Sequence, residues 1–222
     1  MSAKEIKHQL VPLGQVAYYE KGSGKPFLFL HGFPDTPLSF TAQVEYFSSR
    51  GYRCIVPYMP GYGETSVPAK GSTSQLAIAK MMSQFLEQIA PDEAVTIYGH
   101  DWGSIVAQLV VALAHTGETR VKVDKLILGA VPSIRSFLRN MNFAQVIRSR
   151  YMYYFQLPGV VNYIKSQHLA YIRTLWMRWS PSISLLHPQI DETVNTLKAG
   201  DGLKQGISYY RNLLNPVRAL YD

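Results

Sequence analysis

The stretch Ala94-Val95-Thr96-Ile97-Tyr98-Gly99-His100-Asp101-Trp102-Gly103 (AVTIYGHDWG) decides the fold. Its first five residues are a short, apolar, β-branched run, the pattern of a buried strand. From Ser104 to His115 the chain is rich in helix formers and then meets Gly117, the pattern of a helix closed by a left-handed C-cap. The five residues between, Gly99-His100-Asp101-Trp102-Gly103, have the form Gly-x-nucleophile-x-Gly with an aspartate at the centre. A sharp strand-to-helix turn strains the central residue, and side chains two places to either side would collide, so glycine is required there. Such a turn lifts the central carboxylate to the top of a sheet at a helix N-terminus, where the helix dipole favours negative charge. The competing reading is an ordinary βα turn in which Asp101 is simply the helix N-cap.

Working outward, the N-terminal part reads as strand and helix in alternation. Glu5–Pro12 and Gln15–Lys21 read as two hairpin strands joined at Leu13-Gly14, followed by an apolar strand over Pro26–Leu30. That strand runs into His31-Gly32-Phe33-Pro34-Asp35. A helix is expected over Pro37–Arg50, a strand over Tyr52–Val56 and a helix over Thr73–Ala90, capped by Thr73 or Ser74 and stopped by Pro91. Val123–Val131 reads as one more buried strand. This alternation implies an α/β fold with a mainly parallel sheet of about six strands, covered on both faces. Ligands bind such sheets at the carboxyl ends of the strands. The HGFPD loop, the Gly61-Tyr62-Gly63 loop and the Asp101 turn all follow strand ends and so belong to one rim. From Pro132 onward the alternation stops. The remainder is helical and aromatic, with Tyr151-Met152-Tyr153-Tyr154-Phe155-Gln156 as its densest run. The division expected is a core over 1–131 and a helical lid over 132–222.

Composition excludes several classes of protein. The chain has 222 residues, with 47% hydrophobic and 17% charged residues, as in globular proteins. Its single cysteine, Cys54, rules out a disulfide framework and fits a reducing compartment, so a cytoplasmic protein is expected. The first twelve residues contain no apolar signal-peptide core, and no apolar run is long enough to span a membrane. The net charge of +7 is unevenly distributed: residues 1–130 hold 11 basic and 11 acidic side chains, residues 131–222 hold 11 and 4. The excess is scattered through Tyr- and Trp-rich segments with no nucleic-acid motif, so nucleic acid is not the expected partner. One source of the imbalance would be an acidic sequence that this segment faces and this chain lacks.

HGFPD, GYGETS and GHDWGS, in this order and on these elements, resemble the α/β-hydrolase fold. The aspartate in the elbow is similar to the branch of epoxide hydrolases and haloalkane dehalogenases. Tyr151 followed by Phe155-Gln156-Leu157-Pro158-Gly159, and then Tyr209-Tyr210-Arg211-Asn212, resemble the two tyrosine segments of the epoxide hydrolase lid. The resemblance implies a hydrolase that needs no cofactor and no metal. Its substrate would be a small apolar epoxide. Asp101, ionised at neutral pH, would be the nucleophile. Tyr151 and Tyr210 would donate to the epoxide oxygen. The backbone N–H groups of Phe33 and Trp102 would form the oxyanion hole, and Phe33, Pro34, Trp102 and Phe155 would line the pocket. Tyr153 or Tyr154 could stand in for Tyr151, which is preferred on its spacing to Phe155, and Tyr209 could stand in for Tyr210, which adjoins Arg211. Trp176 and Trp179 read as lid packing, His31 and His100 as structural, and His8, His115, His168 and His187 as ordinary surface or core residues.

The sequence departs from the family pattern in two places. The strand ending Ile55-Val56-Pro57 leads into Tyr58 where the family has an aspartate, a change expected to alter a loop hydrogen bond. The family's second catalytic acid and its water-activating histidine, which lie beyond the second lid tyrosine, have no counterpart here. Without them only the first half-reaction is expected, with His168 or His187 the first alternatives as a base. The last strand would also be left as an apolar edge, so a missing C-terminal segment or self-association is expected. Halide release instead of diol formation would mark a dehalogenase, and binding without turnover a non-catalytic relative.

Overall fold

The computed structural model describes residues 5–68, 72–140, 142–180, 182 and 187–214. A six-stranded sheet forms its centre. Its strands are β1 (Lys7–Val11), β2 (Gly14–Lys21), β3 (Lys25–Leu30), β4 (Tyr52–Pro57), β5 (Ala94–His100) and β6 (Lys122–Gly129), in the spatial order β1-β2-β4-β3-β5-β6. The pairs β1–β2 and β2–β4 are antiparallel, whereas β4–β3, β3–β5 and β5–β6 are parallel. The apolar runs occupy the middle, as parallel strands buried on both faces require: β3 is buried at every position after Lys25.

Helices cover both faces. On one side α1 (Thr41–Ser48) encloses a cluster of Phe27, Phe29, Phe40, Val44, Cys54 and Val56. Burial pushes the Cys54 thiol up to about 11. On the other side lie α2 (Gln75–Ile89) and α3 (Trp102–Thr116), whose inward faces carry Ile78, Met82, Phe85, Val106 and Val110. Ser74 caps α2, its Oγ accepting from the Ala77 N–H at 3.2 Å, and Gly117 closes α3 in the left-handed conformation at φ +78°.

Beyond β6 every described element is helical: α4 (Ile134–Arg139), α5 (Phe143–Arg148), α6 (Arg150–Tyr154), α7 (Val160–Ser166), α8 (Ala170–Trp179), α9 (Pro188–Lys198) and α10 (Gly202–Leu213). The helix α10 is tied to the sheet domain by side-chain bonds. Asn212 Nδ2 donates to Thr73 Oγ1 at 2.6 Å, Gln75 Nε2 to the Tyr209 carbonyl at 3.2 Å, and Tyr209 Oη to the Pro60 carbonyl at 2.6 Å. Tyr58 makes a tie of its own, reaching Tyr19 Oη at 3.2 Å and Glu192 of α9 at 3.4 Å.

Local details differ from the sequence reading. Val11 pairs with Gly14, so the hairpin turn is Pro12-Leu13, one residue earlier than expected. The helix expected over Pro37–Arg50 is a 3-10 turn over Pro37–Phe40 followed by α1, because Thr36 caps the tighter turn through the Leu38 N–H. Strand β6, read over Val123–Val131 as a buried strand, runs over Lys122–Gly129 at the sheet edge with no buried position, Ile127 and Leu128 being 44% and 40% exposed.

The junction of β5 with α3 is the tightest backbone contact of the sheet. A Cβ at Gly103 would lie 2.0 Å from the Leu30 carbonyl oxygen, and one at Gly99 would lie 2.3 Å from that of Gly103. Ser104 Oγ lies 2.6 Å from the Gly99 carbonyl and 2.8 Å from the Gly129 carbonyl, so its one O–H is shared between them where α3 starts against two strands. Gly103→Ala must therefore push α3 off β3 and is expected to destabilise the chain by about 4 kcal/mol or more. Gly117→Ala meets no neighbour, and its left-handed φ alone should cost about 1 to 2 kcal/mol. Denaturant melts of the two variants, read side by side, check the contrast.

Candidate active site

The elbow holds Asp101 at φ +54°, ψ −119°, a conformation that neither helix nor strand supplies. Its carboxylate makes no cap bond to α3, so the N-cap reading fails. Instead Oδ1 accepts the Phe33 N–H at 2.9 Å. The loop after β3 is built to deliver that amide. A Cβ at Gly32 would lie 2.3 Å from Asp101 Oδ1, so only glycine admits the carboxylate. The His31 ring is buried between two backbone groups, with Nδ1 2.9 Å from the Gly32 carbonyl and Nε2 accepting the Met59 N–H at 3.0 Å. These partners fix its tautomer, with the proton on Nδ1. Burial holds it neutral, its pKa lowered to about 4.

Asp101 lies in the floor of a cavity of about 880 Å³ between the sheet's carboxyl edge and the helical segment. Phe33, Pro34, Trp102, Tyr151 and Tyr210 line it. The rings of Trp102, Phe33 and Tyr151 stand edge-on to that of Tyr210 at centroid distances of 5.0, 5.4 and 5.5 Å. Phe155 is a correction. It is fully buried behind Phe33 and Tyr210, 5.4 and 5.2 Å from their rings, and is not part of the cavity wall. There it acts as backing: Arg211 Nε donates to its carbonyl at 2.9 Å, which links the two tyrosine segments.

The alternatives left open for the tyrosines separate by position. Tyr209 is committed to the Pro60 carbonyl, whereas the buried Tyr210 lines the cavity beside Tyr151 and Trp102. Tyr154 packs against Tyr171, and Tyr153 is mostly exposed at the cavity mouth. Burial and then the neighbouring Asp101 charge push both Tyr151 and Tyr210 well above their ordinary pKa, so each is a protonated donor at neutral pH.

The surroundings perturb Asp101 as well. Burial raises its pKa, and the amides of Phe33 and Trp102, with nearby His100, act in the opposite direction. Several cavity residues were not singled out from the sequence. Trp176 and Trp179, read as packing, line the wall, with Trp179 4.9 Å from the Tyr151 ring. Their spacing of three on one helix was the available signal. Neither His168 nor His187 lines the cavity, and His187 Nδ1 is occupied in accepting the Gln189 N–H at the start of α9. His100 does line it. Asp35 was visible only as the last residue of HGFPD. It is buried in the cavity wall, accepts from Thr36 N–H at 2.8 Å and Ser39 Oγ, and Ser39 in turn accepts from Gln189 of α9. Among the described residues no group of His, Cys, Asp or Glu is arranged to hold a metal ion, and no helix is long and apolar enough to cross a membrane.

This elbow, oriented loop and overlying helical segment define a class, and the sequence comparison agrees: residues 25–169 match the alpha/beta hydrolase fold, and the chain belongs to that family. Over 226 residues it is 29% identical to Epoxide hydrolase 2 of Caenorhabditis elegans, covering 96% of this chain and 61% of that protein. It is 33% identical over 158 residues to Bifunctional epoxide hydrolase 2 of Sus scrofa, covering 68% of this chain and 27% of that one. The chain thus spans less than two thirds of the length of these curated relatives. Among solved structures, a Vigna radiata epoxide hydrolase mutant superimposes with a TM-score of 0.75 at 24% identity, over 96% of this chain and 74% of that one.

Burial pushes the Asp35 carboxyl from 3.8 up to about 7. A carboxyl whose folded pKa is raised binds more protons folded than unfolded, so its contribution to stability falls as pH rises from 3.8 to about 7. Asp35→Asn keeps an acceptor for Thr36 and Ser39 and removes that dependence. Its melting temperature should match that of the unmodified chain near pH 4 and exceed it above pH 7, by an amount equivalent to about 1 to 4 kcal/mol. Paired thermal melts across this range measure the difference.

Proposed function

We propose that this chain is an epoxide hydrolase-type hydrolase whose 132–222 segment serves as the lid over a 1–131 core. The observation that carries the proposal is a carboxylate on a strained elbow, held by a backbone N–H, beneath two protonated tyrosine hydroxyls in a largely apolar cavity. In the reaction an Asp101 oxygen attacks an epoxide carbon and the strained C–O bond breaks toward oxygen. Tyr151 or Tyr210 delivers a proton to that oxygen, leaving a hydroxyalkyl ester on Asp101 and a tyrosinate that is reprotonated from solvent. The amides of Phe33 and Trp102 then face the ester carbonyl, where an oxyanion would develop on hydrolysis. The named relatives support an epoxide as substrate. A dehalogenase reading rests on the buried Trp102 at the cavity, whose Nε1–H could donate to a halide. It leaves the tyrosine pair without a task.

Hydrolysis of the ester needs a general base. His31 is held neutral between two backbone groups. Among the described residues the histidine paired with a carboxylate is His8, with Glu64, and neither lines the cavity. We therefore propose that residues 1–222 complete the first half-reaction and accumulate the ester.

Intact-mass spectrometry after treatment with a reactive aryl epoxide should show one adduct per chain, mapping to the peptide that contains Asp101. Asp101→Asn should show none, and Tyr151→Phe or Tyr210→Phe should each slow addition by about 10². Addition should accelerate with pH as Asp101 ionises, with its midpoint above the ordinary 3.8, and then hold level to about pH 10 because both tyrosines stay protonated. Steady diol release would refute the half-reaction and make His100 the first base to test. Well-folded chain that takes no adduct would refute the enzyme reading.

A further inference from the structure

Between Asp124 and Asp191 the sequence contains no acidic residue, yet it carries Lys125, Arg135, Arg139, Arg148, Arg150, Lys165, Arg173 and Arg178. Of these, only Arg173 reaches a carboxylate among the described residues, that of Asp191. Within this acid-free stretch, α5 presents three large apolar side chains to solvent. Phe143 is 80% exposed, Val146 38% and Ile147 46%. Their spacing of i, i+3 and i+4 gathers them on one helical face. A packed helix would bury that face.

Cations frame it: Arg139 ends α4, Arg148 ends α5 and Arg150 opens α6, all exposed, and Arg150 Nη1 donates to the Ile147 carbonyl at 3.2 Å. The face also adjoins the cavity, whose mouth is lined by Val146, Arg148 and Tyr153.

We infer that this face of α5 seats the lid side of the protein on an anionic lipid surface. Phe143 and Ile147 would enter the acyl boundary while the arginines contact the headgroups. Charge and the apolar tips together weigh against a second copy and against nucleic acid. Two copies meeting through this face would set Arg139, Arg148 and Arg150 against the same cations, so it does not suit self-association. Nucleic acid would satisfy the arginines and leave the apolar tips in water. An anionic bilayer satisfies both. Seated there, the cavity mouth faces the phase in which an apolar ligand concentrates. This inference concerns the surface alone and stands whether or not the cavity opens epoxides.

Vesicle co-sedimentation of the full chain tests it. In about 0.1 M salt, vesicles of phosphatidylcholine with about 30% phosphatidylserine should retain at least about five times as much protein as phosphatidylcholine alone, and about 0.5 M salt should abolish the difference. Phe143→Ser with Ile147→Ser should lower retention at least about five-fold with an unchanged far-UV circular dichroism spectrum. Arg139→Gln with Arg150→Gln should lower it and flatten the salt dependence. If the apolar pair unfolds the chain, the salt titration and the arginine pair decide. No preference for anionic vesicles would overturn the inference. So would retention indifferent to the apolar pair, a dimer that the apolar pair dissociates, or retention of an RNA oligonucleotide in preference to vesicles.

Discussion

The structure depends on how closely α3 approaches the carboxyl end of β3. That approach leaves no room for a Cβ at Gly103 or Gly99, and none at Gly32, where the Asp101 carboxylate takes the space. One steric constraint thereby fixes three things together: the position of the nucleophile candidate, its strained φ, and the Phe33 amide that faces it. Ser104 spreads the same constraint to β6 through its bonds to the Gly99 and Gly129 carbonyls. A carboxylate in such surroundings is costly unless backbone donors meet it, and the Phe33 and Trp102 amides oppose the rise in its pKa that burial causes.

The tyrosines above the aspartate depend on a different kind of contact. Packing alone would allow α10 to slide, whereas directional bonds resist translation and rotation. Thr73, at the entry to α2, accepts from Asn212, and Gln75 reaches the Tyr209 carbonyl. Tyr209 is anchored on Pro60, which turns the next residue, Tyr210, toward the cavity. Arg211 then carries the alignment to the segment bearing Tyr151 by binding the Phe155 carbonyl. Tyr58, where the family pattern has an aspartate, adds a bond to Glu192 on α9. The two halves of the cavity are held in register by polar links at its edges, and its walls are largely apolar.

The sheet was legible because buried parallel strands and amphipathic helices have different periods, and β3 and β5 are clear on that test, whereas the Gly-x-Asp-x-Gly turn was open to an N-cap reading. Turn details were less so: one residue of hairpin register and the 3-10 turn at Pro37 depend on local hydrogen bonds that periodicity does not report. The motif residues Asp101, Phe33, Trp102, Tyr151 and Tyr210 converge on one cavity. Phe155 was misplaced because motif spacing gives proximity and not which way a ring turns. Trp176 and Trp179 were passed over because an aromatic stripe on a lone helix reads as core until the empty space beside it is known. The rise that burial causes in the Asp101 pKa was not legible, since it is a property of surroundings assembled from distant parts of the chain.

Cys54 has a practical consequence. Its thiol is buried in the cluster under α1, and that burial pushes its pKa up to about 11. Thiolate is the reactive form, so this side chain is both shielded and protonated under ordinary labelling conditions. The protein is therefore blank to maleimide and disulfide reagents while it remains folded. A cysteine introduced at a chosen surface position would be the only reporter, and the appearance of a second reactive site would count the molecules in which β4 and α1 had come apart.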